Sequence, residues 1–352
     1  MTVAEVVGND LRTLAQRAID EKTKPLGALG HLETVAVRLA VLQNTLTPDV
    51  SRARVIVFAA DHGVAAEGVS AYPAAVTAEM MRNFARGGAA VCVLARSGGI
   101  DVEVVDVGVD AELADELRSI ADACGTRVIA AKVRRGSRNM RMEPAMTRDE
   151  CNAAIEVGRA AVRRAAAEGV QAIGLGEMGI ANTTAASALL CALTGRPAAD
   201  TVGRGTGVSD TGLAHKRNVV REAIECHAGA CENPQTALAA FGGLELAAIA
   251  GAVLEAPKHR IAIMADGFIS TVAALAAVRM SPDTASSLFV AHRSAEHGHD
   301  LAIAELRERP LLALDMRLGE GSGAALALPV LRAAAAIMRE MATFESAGVS
   351  RQ

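Results

Sequence analysis

The stretch Arg54-Val-Ile-Val-Phe-Ala-Ala-Asp-His-Gly63 decides the fold. After the arginine it is apolar without interruption up to Ala60, and it then turns polar at Asp61 and His62. A strand with one wet face alternates apolar and polar residues, whereas an uninterrupted apolar run is typical of a strand buried on both faces of a parallel sheet. The stretch therefore predicts a central parallel strand whose carboxyl end presents polar side chains.

Further candidate strands follow along the chain, and several of them are also continuous apolar runs. They are Asp101–Val107, Arg127–Val133, Val170–Leu175, Arg260–Ala265, Ser287–Ala291 and Pro310–Leu314. Helical patterns separate them, and strands that alternate with helices indicate βαβ units. The sequence thus predicts an α/β fold with a Rossmann-like, doubly wound, mostly parallel sheet.

Two of the intervening helices have clear end signals. Thr147-Arg-Asp-Glu150 is a capping box, in which the hydroxyl and the carboxylate each bind a free backbone amide at the start of a helix. A second helix is predicted to begin at Asn182, Thr183 and Thr184 and to run through Leu193. Gly195 and Pro197 follow and are predicted to end it.

The two ends of the chain look different from its middle, since they are helical in pattern without a clear strand. We therefore expect residues 50–320 to form an α/β domain that carries the active-site crevice. Residues 1–49 and 321–352 are expected to pack together as a smaller helical lobe.

Composition excludes several classes of function. The chain has 352 residues, with 36 Lys and Arg against 40 Asp and Glu, so it lacks the basic excess that binds a phosphate backbone. Aromatic residues make up only 2%, which disfavours base stacking on aromatic platforms. We expect no nucleic-acid partner.

Nor does the sequence indicate a membrane or secreted protein. The most apolar stretch, Gly323–Met338, contains Pro329 and Arg332 and is shorter than the roughly 20 residues that span a bilayer. The start of the chain has no signal-peptide pattern, and the 6 cysteines include no Cys-x-x-Cys pair. A cytoplasmic protein with reduced thiols is expected.

Acidic residues fall where the predicted strands end. Asp61, Glu177 and Asp266 each follow a strand, and Glu320 follows the last one within a glycine-rich segment. Ligands of open parallel sheets bind beyond the carboxyl ends of the strands, so these groups should converge on one crevice. The alternative is that each merely caps the helix after it.

Glycine-rich turns suggest an anion site. Gly174-Leu-Gly-Glu-Met-Gly179 matches G-x-G-x-x-G, with Asp200 near the spacing of a ribose-binding acid, so an NAD-dependent dehydrogenase is the alternative function. No strand precedes Asp200, however, which favours an anion at the helix start near Asn182. Gly203-Arg-Gly-Thr-Gly207, followed by Lys216, repeats the pattern.

Three histidines lie close together in the sequence, at His292, His297 and His299. A zinc site is conceivable there, but structural roles are the commoner explanation. We expect neither a metal nor a cofactor.

Four motifs together resemble one enzyme family. They are Ala60-Asp-His-Gly63 with Glu67-Gly-Val-Ser-Ala-Tyr-Pro73, Gly174-Leu-Gly-Glu-Met-Gly-Ile-Ala-Asn-Thr-Thr184, Ala265-Asp-Gly-Phe268, and Met316-Arg-Leu-Gly-Glu-Gly-Ser-Gly323. The chain resembles the nicotinate-nucleotide–dimethylbenzimidazole phosphoribosyltransferases from about Lys24 to Met341. The resemblance implies a homodimer that moves 5-phosphoribosyl from nicotinate mononucleotide to 5,6-dimethylbenzimidazole. The products are α-ribazole 5′-phosphate and nicotinate, in cobalamin nucleotide-loop biosynthesis.

The resemblance also assigns roles to residues. Glu320 is the expected general base and Glu177 a carboxylate that stabilises the oxocarbenium-like centre. The expected phosphate and ribose contacts are Gly176, Asn182, Thr183, Gly203, Gly205, Lys216, Asp266 and Ser294. The expected base pocket comprises Tyr72, Met80, Arg317 and Leu318. A non-catalytic nucleotide-binding module is a further alternative, which predicts ligand binding without turnover.

Overall fold

A single six-stranded sheet organises the protein, whose computed structural model describes residues 3–124 and 126–350. The strands are β1 (Ala53–Ala60), β2 (Asp101–Gly108), β3 (Arg127–Ala130), β4 (Ala172–Met178), β5 (Ala262–Ala265) and β6 (Leu288–Val290). Their order is β3-β2-β1-β4-β5-β6, and every neighbouring pair is parallel. The predicted α/β, Rossmann-like sheet is thereby confirmed. The strand order reverses between β1 and β4, where such sheets form a crevice at their carboxyl ends.

Helices cover both faces of this sheet. They are α1 (Val3–Asp20), α2 (His31–Gln43), α3 (Ala75–Ala85), α4 (Ala90–Ser97), α5 (Ala114–Cys124), α6 (Arg148–Ala167), α7 (Asn182–Thr194), α8 (Ala198–Thr201), α9 (Asp210–Cys226), α10 (Pro234–Phe241), α11 (Leu244–Glu255), α12 (Phe268–Met280), α13 (His299–Leu306), α14 (Ser322–Glu340) and α15 (Phe344–Ala347).

The central strand β1 is buried on both faces, as its continuous apolar sequence predicts. Ile56 and Phe58 point into the core formed with α6, α7, α11 and α12. Val55 and Val57 point the other way, into the core formed with α2, α3, α4 and α14. Successive side chains of a strand face opposite sides, so one apolar run supplies both cores.

Both predicted helix signals are present. Thr147 Oγ1 accepts the Glu150 N–H at 3.2 Å, and a Glu150 carboxylate oxygen accepts the Thr147 N–H at 2.8 Å. The helix predicted from Asn182 extends to Thr194, and Gly195 ends it in the left-handed conformation. These two ends follow local hydrogen-bonding rules that the sequence displays directly.

Three predicted strands differ by three residues or more in the structure, and one of them, predicted to end at Val133, ends at Ala130 as β3. The run Pro310–Leu314 is not a strand, because only Leu312 forms a bridge, to His292, where the chain passes along the edge of the sheet. Proline lacks the N–H that would extend the ladder from its position. The strand predicted to end at Leu175 continues to Met178, which pairs with Ala59 of β1.

Small residues allow the helices to approach closely. On α6, a Cβ at Gly158 would lie 1.8 Å from the carbonyl oxygen of Ala248 on α11. In the reverse direction, a Cβ at Gly251 would lie 1.9 Å from the carbonyl oxygen of Ile155. The two helices therefore touch backbone to backbone, which explains why the core is rich in Ala and Gly.

The chain ends meet, since Lys22 and Thr343 form an antiparallel bridge. Helix α14 packs against α2, and its Ala324 and Leu328 belong to the same core as Val55 of the sheet. Among the described residues, α14 is the one helix long and apolar enough to cross a membrane by length and composition, yet 56% of it is buried. The division of the chain at residues 50 and 320 stays a prediction.

Candidate active site

A cavity of about 510 Å³ opens at the carboxyl ends of β4 and β5, next to the point where the strand order reverses. It brings together most of the predicted site residues, from six separate segments of the chain. Those that line it are Tyr72, Met80, Glu177, Asn182, Thr183, Gly205, Asp266, Ser294, Arg317, Leu318 and Glu320.

Three predicted residues do not line this cavity. Gly176 lies inside β4, Gly203 lines an adjoining cavity of about 340 Å³, and Lys216 lies beneath the wall. The adjoining cavity shares Gly205 and Arg317 with the first one. The two cavities are thus neighbours separated by the glycine-rich segment.

Glu177 stands near the end of β4 with only 6% of its surface exposed. Burial raises the pKa of Glu177 to about 8, helped by the nearby carboxylates of Glu245 and Asp266. The Asn182 side-chain amide donates a hydrogen bond to Glu177 Oε2 and opposes this shift. The other carboxylate oxygen of Glu177, Oε1, lies under Gly319. A Cβ at Gly319 would come within 2.3 Å of this oxygen. The φ of 83° at Gly319 lies in the left-handed region, which also favours glycine above Glu177.

Glu320 enters the cavity from the turn before α14. Its φ of 64° lies in the left-handed region that favours glycine, so the backbone here is strained. Burial raises the pKa of Glu320 to about 7, and its Oε2 has no hydrogen-bond partner among the described residues. A carboxylate held this way can accept a proton from a ligand near neutral pH.

Gly176 has a different part in the site from the predicted phosphate contact. A Cβ at this position would lie 2.5 Å from the carbonyl carbon of Glu320. Its missing side chain lets the Glu320 turn pack directly on β4. The G-x-G-x-x-G match, on which the dehydrogenase alternative depends, begins within a buried strand rather than in a turn, because β4 extends through Met178.

Asp266, expected to contact phosphate or ribose, uses both carboxylate oxygens within the protein. They accept the N–H groups of Gly321 at 3.2 Å and Ala324 at 2.8 Å, at the start of α14. Burial raises the pKa of Asp266 to about 7, against these hydrogen bonds. Asp266 therefore fixes the turn that carries Glu320, although it also borders the cavity.

Lys216 is 1% exposed, and its ammonium donates to Thr183 Oγ1 at 2.8 Å. No carboxylate within residues 3–124 and 126–350 lies at ion-pair distance from it. Burial lowers the pKa of Lys216 to about 8. A Cβ at Gly205 would lie 3.0 Å from this ammonium, so Gly205 leaves room beside it. A desolvated cation at the start of α7 suits an anionic group of a ligand.

A buried histidine–glutamate pair behind the cavity was not predicted. His62 Nε2 lies 2.5 Å from Glu245 Oε1, and both side chains are almost fully buried. Burial opposes protonation of His62, but the Glu245 carboxylate raises its pKa above the ordinary value. The pair is screened from the cavity by Gly179, where a Cβ would lie 3.2 Å from the His62 ring. The sequence signal was Glu245 itself, a carboxylate within an otherwise apolar helix start.

Two other sequence candidates, Asp61 and His299, have structural partners, whereas the buried His292 Nδ1 has none among the described residues. Asp61 accepts the Asp110 N–H at 2.7 Å and is not among the residues that line the cavity. His299 Nδ1 accepts the N–H of Ser294 at 2.8 Å, and its Nε2 lies 3.0 Å from Thr271 Oγ1. Among the described residues there is no group of His, Cys, Asp and Glu that could hold a metal ion.

Comparisons with known proteins agree with this architecture. A family sequence profile described as phosphoribosyltransferase matches residues 5–349. A nicotinate-nucleotide–dimethylbenzimidazole phosphoribosyltransferase of Cupriavidus necator is 51% identical over 340 residues, which cover 97% of this chain and 95% of that protein. The crystal structure of CobT from Thermus thermophilus superposes with a TM-score of 0.91 at 47% identity, covering 97% of this chain and 100% of that one.

Proposed function

The chain belongs to the nicotinate-nucleotide–dimethylbenzimidazole phosphoribosyltransferase family and is a phosphoribosyltransferase, and from this premise we propose the roles of its residues. Its substrates are nicotinate mononucleotide and 5,6-dimethylbenzimidazole. One ring nitrogen of the benzimidazole attacks the anomeric carbon, and the bond from that carbon to the nicotinate nitrogen breaks. The products are α-ribazole 5′-phosphate and nicotinate.

Glu320 is the general base in this proposal. The attacking heterocycle is neutral, so its second ring nitrogen must lose a proton as the new bond forms. A base within about 3 Å of that N–H is needed, and its pKa should lie near the working pH. The single observation that carries the role is Glu320 Oε2, a buried acceptor without a partner among the described residues, on a carboxyl whose pKa is raised to about 7.

Glu177 stabilises the positive charge that develops on the ribosyl carbon. A carboxylate in a buried cavity interacts with such a charge more strongly than one in water. Burial raises the pKa of Glu177 to about 8. A cationic nicotinate ring bound beside it would lower that pKa and favour the ionised form.

The phosphate is bound on the side of the cavity formed by Gly205, Thr183 and Lys216. Lys216 supplies the positive charge, and the start of α7 adds the positive end of its helix dipole. Tyr72, Met80 and Leu318 contact the aromatic base. Nicotinate leaves from a ring nitrogen that is already cationic, so that nitrogen becomes neutral as the bond to it breaks.

We also propose a location and an oligomeric state for the enzyme. The resemblance to the family supports a cytoplasmic homodimer with a helical lobe formed by both ends of the chain. Light scattering of the purified protein tests the dimer, since a monomer at working concentration would contradict it.

A chromatographic product assay tests the reaction. The protein, nicotinate mononucleotide and 5,6-dimethylbenzimidazole should give nicotinate and α-ribazole 5′-phosphate, and a panel of other azoles and purines tests the choice of base. Tight binding of NADH without nicotinate release would instead support the dehydrogenase alternative. Ligand binding that survives Glu320→Gln, with no turnover by either form, would indicate a non-catalytic module.

A further inference from the structure

Three segments of the chain meet on residues 203–208, which we call the glycine loop. The Gly205 carbonyl accepts a hydrogen bond from Arg317 Nη1 at 3.2 Å. Lys216 lies on the inner side of this loop, beside Gly205. Thr206 projects from the same loop toward residues 70–72, and it also lines the cavity. The glycine loop thus contacts both the proposed phosphate side and the proposed base side.

A chain of hydrogen bonds joins Thr206 to the backbone of Tyr72. Thr206 Oγ1 accepts the N–H of Ala71 at 3.0 Å and lies 3.2 Å from Ser70 Oγ. Ser70 Oγ in turn accepts the N–H of Tyr72 at 3.3 Å. Each of the two hydroxyl oxygens accepts one backbone N–H, which leaves both hydroxyl protons available. One hydroxyl can therefore donate a hydrogen bond to the oxygen of the other.

The position of Tyr72 depends on this connection more than on packing. Its side chain is 55% exposed, so few neighbours hold it in place. The preceding chain is fixed at a second point, where His215 Nε2 of α9 lies 2.7 Å from the Glu67 carbonyl oxygen. Of the two contacts, the one made by Thr206 holds Ala71, which is next to Tyr72 in the sequence.

We propose that Thr206 is a positioning residue that couples the phosphate side of the cavity to the base pocket. The proposal rests on the proposed function, because that function assigns phosphate to Gly205 and Lys216 and the base to Tyr72. A phosphate bound beside Gly205 holds the glycine loop in the arrangement in which Thr206 meets Ser70 and Ala71. Tyr72 is then placed to contact the aromatic base, so each substrate improves the binding of the other by the same factor.

The test uses Thr206→Val, which keeps the shape of the side chain and removes its oxygen. Base binding is measured by calorimetry with 5,6-dimethylbenzimidazole, in the presence and absence of ribose 5-phosphate, which fills the phosphate side but has no leaving group. In the wild type, ribose 5-phosphate should lower the Kd of the base. In Thr206→Val this effect should disappear, and KM for the base should rise roughly 2- to 10-fold with kcat within about twofold, the range expected for one hydrogen-bonded group.

Two further variants sharpen the result. Ser70→Ala should have the same effect as Thr206→Val, and the double variant should be no worse than either, because all three break one chain. Thr211→Val is the matched control, since Thr211 is exposed, lies in the first turn of α9 and contacts Ser209 Oγ. It should behave as the wild type.

Each contrary result has its own meaning. An unchanged KM for the base in Thr206→Val, retained coupling to ribose 5-phosphate, or additive effects in the double variant would overturn the role of Thr206. A wild-type protein that releases no nicotinate would instead overturn the proposed function. Ser70→Ala acts on a separate segment, so it keeps the proposal testable should Thr206→Val fold poorly.

Discussion

Replacing Glu320 with glutamine is expected to lower kcat by roughly 10²–10⁴-fold, the usual contribution of a positioned general base. Glu320 is 8% exposed, and its Oε2 has no partner within the described part of the chain. Glutamine has the same size and disturbs no hydrogen bond of that oxygen. The loss of rate should therefore report on proton acceptance rather than on folding.

The pKa of Glu320 also predicts how kcat/KM depends on pH. Burial raises the pKa of Glu320 to about 7, so the basic form is lost as pH falls through 7. About nine tenths of the carboxyl is ionised at pH 8 and about one tenth at pH 6, so kcat/KM should fall about tenfold between these values. Glu177 and Asp266, whose pKa values burial raises to about 8 and about 7, adjoin it. The fall in kcat/KM at low pH, the acid limb of the profile, therefore reflects all three carboxyls. The change in this acid limb in Glu320→Gln isolates the part due to Glu320.

The assay is nicotinate release measured by chromatography from pH 5.5 to pH 9, with both substrates varied. Glu225→Gln is the control, because Glu225 is exposed and pairs only with Arg221 on the same helix, among the contacts of the described chain. Matching thermal melts would show that both variants fold. A Glu320→Gln enzyme with at least half the wild-type rate, or with an unchanged acid limb, would refute the role of Glu320.

Three other substitutions have defined outcomes. Glu177→Gln should lower activity but raise Tm, and the rise in Tm should be larger at pH 9 than at pH 5. The pKa of Glu177 is raised to about 8 in the folded state, so the wild type loses stability as pH rises from about 4.5 through 8, and the variant does not. An equal Tm difference at both pH values, measured by calorimetry, would contradict this. Lys216→Met should raise the KM for nicotinate mononucleotide roughly 10- to 100-fold without lowering Tm, since it removes the buried cation to which we assign the ligand phosphate; wild-type affinity by titration calorimetry would exclude that role. Gly158→Ala should destabilise the fold by about 2 kcal/mol or more, because its Cβ would meet the Ala248 carbonyl at 1.8 Å, whereas Gly229→Ala, with open space around it, should leave the thermal melt unchanged.

The sequence was informative where local rules dominate. The continuous apolar run at β1 predicted a doubly buried parallel strand, and the polar residues after the strands predicted where a crevice would form. Glu177 and Glu320 do meet in one cavity. Glu177 lies there because it stands near the carboxyl end of β4, where ligands of parallel sheets bind. Glu320 directly follows no strand of the described chain, and its turn is held there by the hydrogen bonds of Asp266 to the start of α14.

Features that depend on long-range packing were not predictable. Glu245 pairs with His62, which lies far away in the sequence, and no residue near either of them predicts this partner. The glycines of the 174–179 pattern could serve a ligand or a neighbouring element, and a local motif does not distinguish the two. In the structure Gly174 makes room for Ala324 of α14, and Gly176 for the Glu320 turn.

The position of Tyr72 has a practical consequence for spectroscopy. The chain has no tryptophan and a single tyrosine, and this phenol stands at the mouth of the active-site cavity. Ultraviolet emission excited at wavelengths that tyrosine absorbs and phenylalanine does not therefore originates from one known place, without any label. A ligand that covers the ring should alter that emission, whereas a distant event should leave it unchanged. The enzyme thus contains its own optical reporter of whether the proposed base pocket is filled.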